Sequence, residues 1–586
     1  MVKALVSKKA EKDTTRKRRS NSSHYIIKKR PWFTPRSFFC PAWSEALPTD
    51  QYFLTLVITC FTFIPYRMKP TFPHFLILGL LLICFCANAQ VTATIGAEIN
   101  NDRKNAFNKM LGSDETNFYV YRYKKEGVHF LEKYDSKTLG LVSSNLVEFT
   151  KEDETKDMRI LDIVFTNGKY FVFKYYRDKS IKTFYYCYEV ITKDGIGSND
   201  VVYYEGPLEM AEIKIDYNIK KTKIGIAMTF YAGKEQKIIS HLFCIDTQSR
   251  KVWDKEGLSY PATDYTTYGT GPLVYVDEFD NVHFKTYKKK VAANPKEEVN
   301  YEGLLSTFNL KTNTVRTVML DIAYSKFKMY SPTDGELYLA GFLGEKYDHK
   351  AKGQFNELSF IQIKINTKTG TISTTEKKLD PSLMEALEAY KNRDLLYYTR
   401  DFYMIGQDTY VIGEQLFVRP DHNQAIDIPF LHTAVLITKL NEKKEVEWIR
   451  QVPTLFYTYN NKQIITAYTD KTFYIFNNEH EDNLALVGTP NIKPADLKEA
   501  PLLFRSTNFV YTSFSLLDGK LNQHGLVFPA KEYFFFPKQA WGRSAFCIVQ
   551  NIDLSVPIDK KAFVMHTGVR SSGDEFISRF YKVKFE

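Results

Sequence analysis

Between Ile361 and Ile372 the chain alternates apolar and polar residues, turns through Asn366-Thr-Lys-Thr-Gly370, and alternates again. That is the pattern of a β-hairpin whose strands each bury one side. The same pattern recurs around Asp135, Thr192, Asp246, Lys311 and Asn441, with a seventh copy at Leu516-Leu-Asp518-Gly-Lys. The steps between successive turns are 57, 54, 65, 55, 75 and 77 residues. A recurrence on this scale constrains the fold more than any single motif, because a unit that cannot bury both faces alone must stack on its neighbours.

Each unit carries an earlier turn as well: Thr166-Asn167-Gly168, Phe279-Asp280-Asn281, Thr333-Asp334-Gly335, Gly406-Gln407-Asp408 and Asn460-Asn461-Lys462. Asn-Gly and Asp-Gly favour two-residue hairpin turns because the central residues need positive φ. Two hairpins make four strands per unit. Trp253 and Trp448 stand seven residues after Asp246 and Asn441, and Val142 and Val318 hold the same offset from Asp135 and Lys311, which predicts one strand facing the same core in each unit. The expected fold is all-β, a single β-propeller over residues 90–586 with about seven four-stranded blades, six to eight being compatible. The 39 Tyr and 44 Phe suit such half-buried pleated surfaces. Asp380-Pro-Ser-Leu-Met-Glu-Ala-Leu carries a cap and an apolar face, predicting one short inserted helix, with a second short helix expected over 101–111. The alternation from Glu575 to Glu586 predicts a last strand, expected to close the ring against the region 117–123.

The amino end differs in kind. Met68 and Lys69 precede an apolar run from Phe75 to Cys86 and then Ala87-Asn88-Ala89 before Gln90. That layout reads as a signal peptide over 68–89, cleaved between Ala89 and Gln90, and too short to span a bilayer. Residues 1–67 read as a disordered basic extension arising from a start assigned too early. Of the 79 Lys+Arg and 68 Asp+Glu, 13 and 4 fall there, so the region from Gln90 onward is nearly neutral. The pI of about 8.9 therefore gives no reason to expect a nucleic-acid partner. Cys187, Cys244 and Cys547 remain after the cleavage point, an odd number in apolar runs, best read as buried thiols with a Cys187–Cys244 bridge left open. Ile83 and Phe85 stand where a lipoprotein signal needs a small residue before its cysteine. The expected location is periplasm, cell surface or outside the cell.

Catalytic signatures are missing: there is no HExxH, GxSxG, Walker loop, CxxC or EF-hand spacing after Gln90. Tyr268-Gly269-Thr-Gly271-Pro is too short for a dinucleotide loop. Asp277, Glu278, Asp280 and Asn281 offer oxygen ligands to calcium, although a hairpin turn accounts for the same residues. No other cofactor or metal is expected. The polar segments Arg419-Pro-Asp421-His422 to Asp427 and His432, and Asn477 to Asn483 with His480 and Glu481, are the candidate binding loops. Glu479 and Glu481 flank His480 as a possible acid–base group. Trp541 breaks the repeat and is the candidate exposed aromatic.

The ending Ala-Asn-Ala-Gln90, units such as Ala434-Val-Leu-Ile-Thr-Lys-Leu-Asn-Glu-Lys-Lys-Glu-Val-Glu-Trp448, and Phe473-Tyr-Ile-Phe-Asn-Asn-Glu-His-Glu-Asp-Asn483 together resemble uncharacterised secreted propeller-like proteins of Bacteroidota. This resemblance brings a fold and no activity, ligand or catalytic residue. The Ile-Asp246-Thr to Trp253 pattern also looks like quinoprotein-type propellers, whose quinone pocket and metal ligands have no counterpart in the sequence. The expectation is a monomeric, non-catalytic binding or scaffold module for a protein or glycan, without a membrane span after cleavage. The alternative is a propeller enzyme, hydrolase or lyase, acting on polysaccharide.

Overall fold

The computed structural model describes residues 91–586 except 103–104, 125–127, 148–155, 179, 208–209, 233–236, 262–272, 290–300, 321–326, 345–357, 380–393, 419–429, 459–463, 487–491, 493–495, 499–506, 529–546, 549–554 and 571–574. The described chain forms eight antiparallel sheets, seven of them four-strand meanders and the eighth made of six strand segments that include Cys547–Ile548 beside Ala562–Arg570, with almost no helix. Blades 1 to 7 span 105–147, 156–206, 210–261, 273–320, 328–378, 394–458 and 465–528.

Local chemistry sets each hairpin. Asn167 and Gly168 both take positive φ (51° and 69°), as a two-residue turn between strands of right-handed twist requires. Asp280, Gly335 and Gly406 do the same at the equivalent turns of blades 4, 5 and 6 (φ 67°, 85° and 64°). The first turn of blade 7 is Thr469–Lys471, where Thr469 N donates to Thr472 O; the expected turn at Asn460–Lys462 falls instead between blades 6 and 7, outside the described residues.

A blade is covered on both faces, so its inner strands read as unbroken apolar runs. In blade 7, Phe473, Tyr474, Ile475 and Phe476 are all fully buried. Phe473 and Ile475 pack with Tyr410 and Ile437 of blade 6, whereas Tyr474 and Phe476 pack with Phe563 and Val583 of blade 8. Among the described residues, eight apolar clusters each join one pair of neighbouring blades, so the ring closes. Burial falls away outward: the fourth strand of blade 5, Ile372–Lys378, is exposed along its whole length.

Blade 8 takes strands from both chain ends. Ser555–Asp559, Ala562–Arg570 and Glu575–Phe585 are its first three strands, and Val91–Ile95 followed by Ile99–Asp102 forms the outermost. This corrects two expectations. The last strand pairs with 91–95 and 99–102 rather than with 117–123, which lies inside blade 1, and within 101–111 the described residues 101–102 and 105–111 lie in strands rather than in a helix. The blade count is eight, at the upper end of the expected six to eight; the turn count gave seven because blade 8 has no turn between its third and fourth strands. The predicted helix at 380–393, the extension 1–67, the signal segment 68–89 and the Ala89–Gln90 junction lie outside the described residues.

Trp253 and Trp448 occupy the outermost strands of blades 3 and 6, opposite Cys244 and Lys439, and pack toward the next blade as expected. Val142 does not; it is 53% exposed, beside a register shift in blade 1. Cys187 and Cys244 are free, buried thiols in different blades.

Candidate functional site

In a four-strand meander the first and third turns emerge at one end of the blade, and the second turn and the link to the next blade at the other. Backbone hydrogen bonds tie the first and third turns of a blade together, as in Thr367 N to Gly335 O (2.8 Å) and Leu516 N to Lys471 O (2.9 Å). That face is therefore built of short turns. The opposite face receives the long connections, from Val418 to Phe430 in blade 6 and from His480 to Thr507 in blade 7. These two connections leave adjacent blades on one face, but Asn477–His480, expected in a binding loop, lie in the strand Thr472–His480 of blade 7, and only the chain after His480 belongs to the connection.

At the root of the blade 6 connection lies a buried charge cluster. His432 is fully buried, its Nδ1 meeting Glu414 Oε1, and its ring stacks on Phe456 with centroids 4.8 Å apart. Glu414 Oε2 accepts from Arg400 Nε at 2.5 Å. Arg400 sits at a register shift in the innermost strand, its guanidinium 4.7 Å from the Tyr398 ring. Burial alone would raise the Glu414 carboxyl; His432 and Arg400 beside it bring it below the ordinary range instead.

Blade 7 holds a second buried polar group. Glu479 lies 3.1 Å from His524 Nε2, and His524 Nδ1 lies 2.9 Å from Thr512 Oγ1. Burial, partly offset by His524, raises the Glu479 carboxyl. His480, the next residue, points away from this pair. Its Nδ1 accepts from Asp482 N (3.1 Å) and caps a 3-10 turn over Glu481–Asn483, where Glu481 is exposed and Asn483 is bound through both side-chain atoms to the Lys498 backbone (2.7 Å each). Glu479, His480 and Glu481 therefore do not converge. Arg419, Asp421, His422, Asp427 and Trp541 lie outside the described residues.

Aromatic side chains of the first strands of blades 4, 5 and 6 meet one another. Tyr275 and Phe402 meet edge to face at 6.4 Å, joining the innermost strands of blades 4 and 6, which are not neighbours; Tyr330 of blade 5 packs on Phe402 at 5.0 Å. Asp216, on the innermost strand of blade 3, is pushed up to about 6 by burial, with Lys328 of blade 5 acting against it.

The oxygens of Asp277 and Asp280 are engaged within the protein. Asp277 accepts from the backbone N–H of Phe279 and Asn281 (2.8 Å each), from Asn281 Nδ2 (2.8 Å) and from His283 Nε2 (3.1 Å), while Asp280 pairs with Lys223 and Lys311. Sequence reasoning missed Arg400, Glu414, His524 and Asp216. The available signal was a charged or imidazole residue at an inward position of an apolar strand, as in Tyr410-Val-Ile-Gly-Glu414.

No family model matches the chain, and no curated protein sequence matches it. Solved structures do. The WD40 domain of SCAP from fission yeast is 7% identical at a TM-score of 0.34, covering 83% of this chain and 98% of that one. The Dos1 propeller is 9% identical at 0.34, covering 83% and 94%. One of two prolyl endopeptidases is 7% identical at 0.33, covering 80% of this chain and 53% of that one. These likenesses bear on the fold alone.

Proposed function

We propose that this chain is an exported, non-catalytic β-propeller that binds a protein or glycan partner on the face carrying its long connections. The observation that carries the reading is the difference between the two faces: short, hydrogen-bonded turns on one, and on the other the polar segments 419–429 and 481–506 leaving adjacent blades. Rigid roots suit such loops for recognition, because ordering a loop in advance lowers the entropy lost on binding. Glu414 and His432, locked inside blade 6, supply such a root. Export rests on the signal layout at 68–89.

A polysaccharide hydrolase would need two carboxylates facing each other across an open cleft. Of the described carboxylates, Glu132, Glu414 and Asp277 are buried and bonded to Arg122, Arg400 and His283, and Asp216 and Glu479 belong to different blades, 3 and 7. The test is a glycan array probed with residues 90–586, beside the same chain with 420–428 replaced by a short Gly-Ser turn. Binding that the replacement abolishes supports the reading. Release of reducing sugar ends from a polysaccharide panel overturns it in favour of an enzyme.

A further inference from the structure

Glu479, Asn477 and His524 of blade 7 together carry four buried polar atoms without a hydrogen-bond partner. Glu479 and Asn477 are each 2% exposed, and the His524 side chain 3%. Both Glu479 oxygens, Asn477 Oδ1 and His524 Nε2 lack a hydrogen-bond partner, although buried polar atoms are nearly always paired. Asn477 and Glu479 stand two apart on one strand and so share a face. His524 reaches that face from the fourth strand, where it lies opposite Thr512.

The geometry of the pair is informative. A carboxylate and an imidazole that hydrogen-bond aim at each other. Here Glu479 Oε2 and His524 Nε2 are 3.1 Å apart, close enough to bond, yet the alignment a hydrogen bond requires is not met. Two ligands sharing one ion aim at a third point instead. With metal–ligand bonds of about 2.0–2.2 Å their separation falls at about 2.9–3.4 Å, and each lone pair turns roughly 40° off the line between them. Thr512 Oγ1, 2.9 Å from Nδ1, can accept the Nδ1 proton and leave Nε2 free as a ligand, the outer-sphere contact that metal-binding histidines ordinarily keep.

We infer that Glu479, His524 and Asn477 Oδ1 bind a single divalent transition-metal cation of the Zn2+ or Mn2+ class, which ties the second strand of blade 7 to its fourth. Among the described residues no third His, Cys, Asp or Glu joins the group, so the amide oxygen is the third protein donor and water completes the coordination. Burial of all three donors makes the role structural. The ion sits at the root of the blade 7 connection, as Glu414 and His432 sit at the root of the one in blade 6.

The test is equilibrium dialysis of the chelator-stripped full-length protein against Zn2+ and, separately, Mn2+, with metal counted by mass spectrometry and melting followed in parallel. One equivalent should be retained, with a melting temperature raised by several degrees. Glu479→Gln and His524→Ala should each weaken retention at least tenfold. Thr512→Val, which leaves every ligand in place, should weaken it about tenfold and keeps the test readable if the ligand variants fold poorly. With Co2+ as probe, a visible absorption band should appear in the parent protein and be absent from Glu479→Gln. No retained ion, or retention and melting shift unchanged in Glu479→Gln, overturns the assignment and leaves buried water as the partner of these atoms.

Discussion

Arg400 donates its Nε to Glu414 at 2.5 Å inside blade 6, and neither side chain reaches solvent appreciably. Removing one partner of a buried ion pair leaves the other charge uncompensated in a low-dielectric site, which costs about 3–5 kcal/mol. Arg400→Met should therefore destabilise the protein by that amount in urea unfolding. The double variant Arg400→Met/Glu414→Met should recover part of the loss, because no unpaired carboxylate is then left buried beside His432. A single variant as stable as the parent would show that the pair does not form.

Gly413 faces blade 5, and a Cβ built there would collide with the ring of Phe342. Gly413→Ala should cost about 1–3 kcal/mol through overpacking. Phe342→Leu, which alone leaves a cavity, should restore much of that stability when combined with it. The double-mutant cycle in chemical denaturation reads the coupling directly.

Lys285 is fully buried on the second strand of blade 4, opposite Leu305 and Leu273, and burial pushes its amine down to about 7. The folded value lies below the unfolded one near 10.5, so between those limits the unfolded chain holds a proton that the folded chain has released. Stability should accordingly rise as pH increases from 7 toward 10, and the full cost of burying the charge is borne below 7. Lys285→Met should be about 1–4 kcal/mol more stable at neutral pH and should lose that rising slope. Unfolding free energies at pH 7, 8.5 and 10 check both points.

Much of the fold could be read from the chain because the turns are chemically marked. Asn167, Gly168 and Gly335 take positive φ, and the Asp135 and Asp246 carboxylates accept from the backbone N–H groups two and three residues on, which fixes their turns. The eighth blade escaped for a topological reason. Its fourth strand, Val91-Thr-Ala-Thr-Ile95, lies at the far end of the sequence, and its first turn, Asp559-Lys-Lys, contains no glycine. The buried polar groups were less legible still. Glu414 and His432 are 18 residues apart, and Glu479 and His524 farther, so only the sheet register brings them together. The polar residues before His432 suggest a loop, whereas the structure places it buried in a strand of blade 6.

The central claim is a ring of eight blades closed by pairing the strand after Gln90 with the carboxyl-terminal strand. Thr92 and Lys584 are directly opposed and exposed in that pair. Thr92→Cys/Lys584→Cys should oxidise to one intramolecular disulfide, found as a cross-linked peptide by mass spectrometry, and should raise the melting temperature. Cross-linking should be negligible in Asn117→Cys/Lys584→Cys, since Asn117 pairs with Asp135. A disulfide in the second variant and none in the first would contradict the closure and the blade count built on it.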